Sequence, residues 1–165
     1  MKLTFTKVTA SSSVLAGAAA LALSGAAAAA PARTNGAVQF FGTQQGNKDT
    51  SDVVTGVITD YGKDVSVGRN AQKIILKKGT FTVDTTKLNA NLKFKANRIG
   101  CSGEASGSAS SLPLSHGTGA YAGITGSFTI HARFTQIGKV VNGKCNLNKE
   151  IATNGVISGT GHVSY

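Results

Sequence analysis

Apolar and polar side chains take turns along residues 80–84, with Phe81 and Val83 on one side and Thr80, Thr82 and Asp84 on the other. The same period recurs at Leu92, Phe94 and Ala96, with Lys93 and Lys95 opposite, and at Phe128, Ile130, Ala132 and Phe134, with His131 and Arg133 opposite. A period of two belongs to a strand with one buried and one wet face. Runs of this kind, rich in β-branched and aromatic residues, predict strands over Ala37–Phe41, Val53–Thr59, Asp64–Val67, Gln72–Leu76, Thr80–Thr85, Leu92–Arg98, Glu104–Ser110, Ser127–Gln136 and Gly155–Tyr165. No amphipathic helical window of useful length interrupts them.

Turn chemistry separates the runs. Asn142-Gly143 lies between Val140-Val141 and Lys144-Cys145, and both residues tolerate the positive φ of a type I′ hairpin. Asp60-Tyr61-Gly62-Lys63 and Lys77-Lys78-Gly79 read as turns on the same grounds. The Gly/Ser-rich stretch Ser102–Ser111 is either a flexible loop or a strand of small residues against which a neighbour packs closely. Short strands at this spacing predict an all-β fold, a small antiparallel β-barrel of about eight strands, with a β-sandwich as the alternative. Closure has the merit of leaving no exposed edge.

The first residues follow another pattern. Lys2 and Lys7 precede a charge-free run, Val14–Ala30, that is mostly Ala, Leu, Gly and Ser and ends in Ala30-Pro31-Ala32. This is the layout of a cleaved signal peptide, 1–32, ahead of an exported domain, 33–165. The first cysteine, Cys101, lies too far downstream for a lipid-modified cysteine at the cleavage point, and no second apolar stretch is long enough to span a bilayer. The expected location is therefore secreted or extracellular, with attachment to the cell wall as a variant. Cys101 and Cys145 form an even pair that pairs most simply as one disulfide in such a compartment. A metal site built on them would lack the close paired spacing of zinc ligands, so neither metal nor cofactor is expected.

Charge narrows the partners. Taking Lys2 and Lys7 from the seventeen basic residues leaves fifteen against seven acidic, a formal +8 for residues 33–165. That favours an anionic envelope polymer. Lys93, Lys95, His131 and Arg133 would make a cationic patch if their strand faces meet. Nucleic acid is not expected, because there is no tryptophan and most phenylalanines alternate as core.

Candidate chemistry is sparse. His116, His131 and His162 show no metal-ligand spacing. No G-x-S-x-G elbow occurs, and Ser115-His116 are neighbours that would point to opposite faces of a strand. Asp49, Asp52, Asp60 and Asp64 sit in turn-like contexts where Asp bonds its own backbone. Asp84 and Glu104 lie within strands, where each carboxylate either points into a barrel or sits at the edge of the sheet. The glycines of His116–Gly126 are misplaced for a dinucleotide loop, since an alternating strand follows them. Tight turns around a buried Tyr121 account for them.

The run Gly117-Thr118-Gly119-Ala120-Tyr121-Ala122-Gly123-Ile124-Thr125-Gly126, then Asn142-Gly143-Lys144-Cys145, then the ending Ile157–Tyr165, resembles a group of small secreted actinobacterial proteins without an assigned activity. Its glycine–tyrosine–glycine turn is similar to that of the allene oxide cyclase and dirigent type of β-barrel. The resemblance covers roughly the last sixty-five residues. It implies an eight-stranded barrel with an apolar interior and carries over no catalytic residue. The expected function is a non-catalytic binding or interaction module whose interior either holds a small apolar ligand or is simply filled by side chains, with Tyr121, Asp84, Glu104, His131 and Arg133 as candidate ligand-binding residues. Two alternatives are a cyclase- or isomerase-like enzyme that works by enclosing a small apolar substrate and a cationic protein of the cell wall.

Overall fold

The computed structural model describes residues 33–46 and 49–165. The expected signal peptide, 1–32, lies outside the described residues. Nine strands form one antiparallel sheet: β1 (Asn35–Gln45), β2 (Asp49–Gly56), β3 (Asp60–Ser66), β4 (Ala71–Leu76), β5 (Gly79–Asp84), β6 (Lys93–Asn97), β7 (Ser102–Gly119), β8 (Thr125–Val141) and β9 (Lys144–Ser164), with one helix, α1 (Thr86–Asn91), after β5. The sheet order is β5-β4-β3-β2-β1-β9-β8-β7-β6, and β5 also pairs with β7. That last pairing closes eight strands into a barrel and leaves β6 outside as a ninth, paired with the start of β7. The barrel, rather than a sandwich, is the architecture.

Inward positions in the barrel strands are those the alternation assigns, but the Leu92–Phe94–Ala96 face is corrected: β6 lies outside the barrel, so Phe94 is 53% exposed and Ala96 is exposed, while Leu92 is half-buried. Val38 and Phe40, Ile74 and Leu76, Phe81 and Val83, and Phe128, Ile130 and Ala132 are all buried. Ring contacts run in series through the interior: Tyr165 on Tyr121 at 5.4 Å between centroids, Tyr121 on Phe81 at 5.9 Å, Phe81 on Phe128 at 6.4 Å and Phe128 on Phe40 at 6.0 Å. Each pair is tilted, edge-on or stacked at a spacing aromatic quadrupoles favour.

The strand β7 is long because it serves two partners. Its register against β8 shifts between Ala109 and Leu112, where Ser111 takes φ 55°. Before that bulge β7 pairs with β6, and after it with β5. The Gly/Ser-rich stretch is thus a strand rather than a loop, and the small side chains are needed where α1 ends against it. A Cβ on Gly107 would stand 2.8 Å from the carbonyl oxygen of Asn91. The far ends of β7, β8 and β9 run on past the barrel, and the Cys101–Cys145 disulfide joins them, with Cα atoms 5.2 Å apart. Asn142 and Gly143 turn the β8–β9 hairpin at φ 52° and 73°, as a type I′ turn requires.

Two local expectations are corrected. Asp60-Tyr61-Gly62-Lys63 is no turn but the first half of β3, because Asp60 finds partners across the barrel rather than only in its own backbone. The helix α1 was not expected. Six residues with one buried side chain, Leu88, and no side-chain cap leave no periodic signal.

Candidate functional site

The two ends of the barrel differ. One is plugged by a satisfied polar cluster. Asp60, 6% exposed, accepts the Tyr121 hydroxyl at 2.6 Å and the backbone N–H groups of Lys78 and Tyr61, each at 2.9 Å. Burial raises the Asp60 pKa, but those three donors and the Lys78 charge together outweigh it and hold the carboxyl below its ordinary value. Burial, then the bond to Asp60 and its charge, push the Tyr121 phenol upward. Tyr165 completes the plug, its hydroxyl donating to the Val57 carbonyl at 3.1 Å.

Tyr121→Phe removes one charge-assisted bond from a buried carboxylate and leaves two. It is expected to cost about 2 kcal/mol at neutral pH, read as a lower urea midpoint. The loss shrinks in acid, where Asp60 is protonated in both folded and unfolded chains, because a lowered pKa contributes stability that disappears as pH falls through it.

Toward the other end lies a cavity of ≈ 110 Å³. Its floor is buried and apolar, formed by Phe40, Ile74, Val83, Leu88, Phe128 and Ile130. Its rim is half-buried or exposed and mixes Leu92, Phe134 and Ile157 with Asp64, Gln72 and Asn89. The helix α1 supplies Leu88 and Asn89 and so lies along one side of the opening. Asp52 of β2, which does not line this cavity, is 2% exposed, and its Oδ2 has no hydrogen-bond partner among the described residues. Its direct cross-strand neighbours are Gly42 and Gly62, neither with a side chain. A Cβ at position 42 would stand 2.7 Å from Asp52 Oδ1, so the glycine makes the room the carboxyl occupies. Burial first, and the Asp64 charge second, push the Asp52 pKa up to about 7. Gln72 donates its Nε2 to Ser66 at 2.9 Å while its buried Oε1 has no partner.

The residues singled out from the sequence lie elsewhere. Tyr121 is buried as expected but belongs to the plug and does not line the cavity. Asp84 is exposed at the end of β5 and accepts the Thr86 N–H at 2.8 Å, and its pKa is lowered by the Thr86 side chain first and that N–H second. Glu104 points outward and pairs with Arg133 at 3.0 Å, the two side chains 40% and 65% exposed, a surface bridge of small energetic value. Neither carboxylate enters the barrel, which excludes the inward of the two placements and removes both from the candidate ligand-binding residues. Their parity explains it, since Val83 faces inward and Asp84 must then face out.

His131 is exposed on the same outer face as Arg133. Lys93 stands opposite Ser106, and Ser106 opposite Arg133, while Lys95 stands opposite Glu104. The cationic face therefore assembles, with Glu104 within it. The turn-context reading is also corrected for Asp52, Asp60 and Asp64, which lie in strands; the side chain of Asp49 lies outside the described residues.

Ser115 and His116 are not on opposite faces. His116 takes φ 53°, and a 2.8 Å hydrogen bond joins Ser115 Oγ to His116 Nδ1. No carboxylate among the described residues accepts from that ring, so the pair lacks the third group that orients a nucleophile's base. Asp52 and Asp64 were the residues missed. Alternation back from buried Val54 and onward from Asp60 would have placed both inside. No family model, curated protein or solved structure matches this chain.

Proposed function

We propose that this protein is an exported binding module whose barrel receives a small, mostly apolar ligand at its open end. The cavity over Phe40 and Phe128 carries this reading: it is concave, floored by hydrophobic side chains, and offers a few convergent polar groups at one side, which is the usual composition of a ligand pocket. Its size sets the ligand. A cavity of roughly 150 Å³ holds benzene, so ≈ 110 Å³ takes a handful of heavy atoms, and a longer ligand leaves its remainder at the rim. The Cys101–Cys145 disulfide and the leader-like first residues support an oxidising, extracytoplasmic setting.

A second reading keeps the same cavity and adds chemistry. Asp64, a half-buried carboxylate on the cavity wall, is the group there that an enclosed substrate would use for proton exchange, as the cyclase- or isomerase-like alternative requires.

Methyl-resolved NMR of the protein titrated with benzene tests the binding reading. Saturable shifts confined to Ile74, Ile130, Ile157 and Leu88 are expected. Shifts absent there, or confined to exposed Ile99 and Ile151, would overturn it.

A further inference from the structure

The disulfide brings two pieces of surface together at the far end of the extension. Cys101 closes the turn after β6 and Cys145 lies at the start of β9, so their bond sets that turn against the tip of the β8–β9 hairpin. Apolar side chains stand out from both pieces. Ile99 is fully exposed, in a turn fixed by Asn97, whose Oδ1 accepts the Ile99 and Gly100 N–H groups at 3.1 and 3.0 Å. Val140, directly opposite Cys145, is more than half exposed, as is Ile151. Side chains left in water contribute little to folding, and their clustering marks a surface that meets something else.

The same segments, 98–101 and 137–151, carry Arg98, Lys139, Lys144 and Lys149 against one acid, Glu150, all exposed. None of the four cations is in an ion pair among the described residues, where the one such pair is Arg133–Glu104. Arg98 and Lys144 also line one open hollow of ≈ 660 Å³ with Phe94, Val141 and Leu147, and no carboxylate lines it.

We propose that this disulfide-held tip is a peripheral docking site for an anionic lipid surface. Ile99 and Val140 enter the boundary between headgroups and acyl chains, and the four cations face the lipid phosphates. Aliphatic side chains set among lysine and arginine fit that boundary, which is apolar below and anionic above. A soluble polyanion would engage the cations and leave Ile99 and Val140 in water. A second copy seated face to face would bring like charges together. The assignment is independent of what the barrel cavity holds.

The test uses the exported form, residues 33–165, which contains every described strand and leaves out the apolar run 14–30, so that this run adds no lipid affinity of its own. It is sedimented with vesicles of phosphatidylglycerol and phosphatidylcholine in equal parts and with phosphatidylcholine vesicles, and its affinity for soluble polyphosphate is measured beside them. Binding to the mixed vesicles is expected to be at least about tenfold tighter than to phosphatidylcholine alone. Ile99→Ser with Val140→Ser keeps the charge and is expected to weaken binding to the mixed vesicles about tenfold while leaving polyphosphate affinity unchanged. Lys139→Gln with Lys144→Gln is expected to weaken vesicle binding at least about tenfold, and Lys63→Gln with Lys87→Gln, on the barrel, by no more than about twofold. All these positions are exposed, where substitution perturbs folding least. No preference for the anionic vesicles, or equal losses from the two lysine pairs, would overturn the assignment. A serine variant that binds the mixed vesicles like wild type would overturn it in favour of a polyanion, and wild-type dimers that the serine pair dissolves would overturn it in favour of a second copy.

Discussion

Asp52→Asn is expected to stabilise the protein at neutral and alkaline pH by up to about 4 kcal/mol and to change little in mild acid. A carboxyl that titrates near 4 in the unfolded chain and at about 7 in the folded one binds its proton more tightly when folded. The native state then holds more protons than the unfolded state throughout that window, so stability falls as pH rises from about 4 to about 7 and levels off above. Three units at about 1.4 kcal/mol each set the upper bound. The amide cannot ionise and keeps the shape, so the pH-dependent loss should vanish, and its N–H₂ can donate toward Asp64. Asp60 contributes with the opposite sign, and its own loss occurs at lower pH. Urea unfolding of both proteins at about pH 5 and pH 8 separates the terms. An equal decline in variant and wild type between those pH values would mean that some other group carries it.

Replacing Cys101 and Cys145 together by serine is expected to cost about 4 kcal/mol. The bridge closes a loop of sequence separation 44, and in the chain-entropy model the cost lies in freeing that loop in the unfolded chain. The bridge ties the residue before β7 to the start of β9, and the Cys101 carbonyl also accepts the Gly138 N–H at 2.8 Å. The link thus holds the extension beyond the barrel rather than the cavity. Chemical denaturation should report the loss, and the methyl signals of Ile74 and Ile130 should keep their folded positions. A destabilisation below about 1 kcal/mol would show that the extension unfolds independently of the barrel.

Alternation made the barrel strands legible because each has one face in the core, and all nine predicted runs correspond to observed strands, although β6 alternates with both faces exposed. The ends were less clear. The runs for β8 and β9 omit the extension past the barrel, which has less interior to bury, and the run for β7 stops at Ser110, just before the bulge at Ser111, and so misses the half that closes on β5. Closure of β5 on β7 was not legible in detail, since it depends on a bulge at Ser111 that no turn residue announces. The interior carboxylates were missed for another reason. Asp52 after Thr50-Ser51 and Asp64 after Gly62-Lys63 carry local turn preference, and only the parity of Val54 and Asp60 along their strands places Asp52 and Asp64 inside. Tertiary pairing overrode a local preference there. Ser115 and His116 depended on a single left-handed residue that reverses the parity rule for one step.

The barrel keeps the Asp52 carboxyl buried, with one oxygen that no described group bonds. Carboxyl-carbon NMR of Asp52 through a pH titration of the ligand-free protein measures this directly. A midpoint near pH 7 is expected. A midpoint in the ordinary range near 4 would mean that the carboxyl has found donors or water of its own, and would contradict the claim.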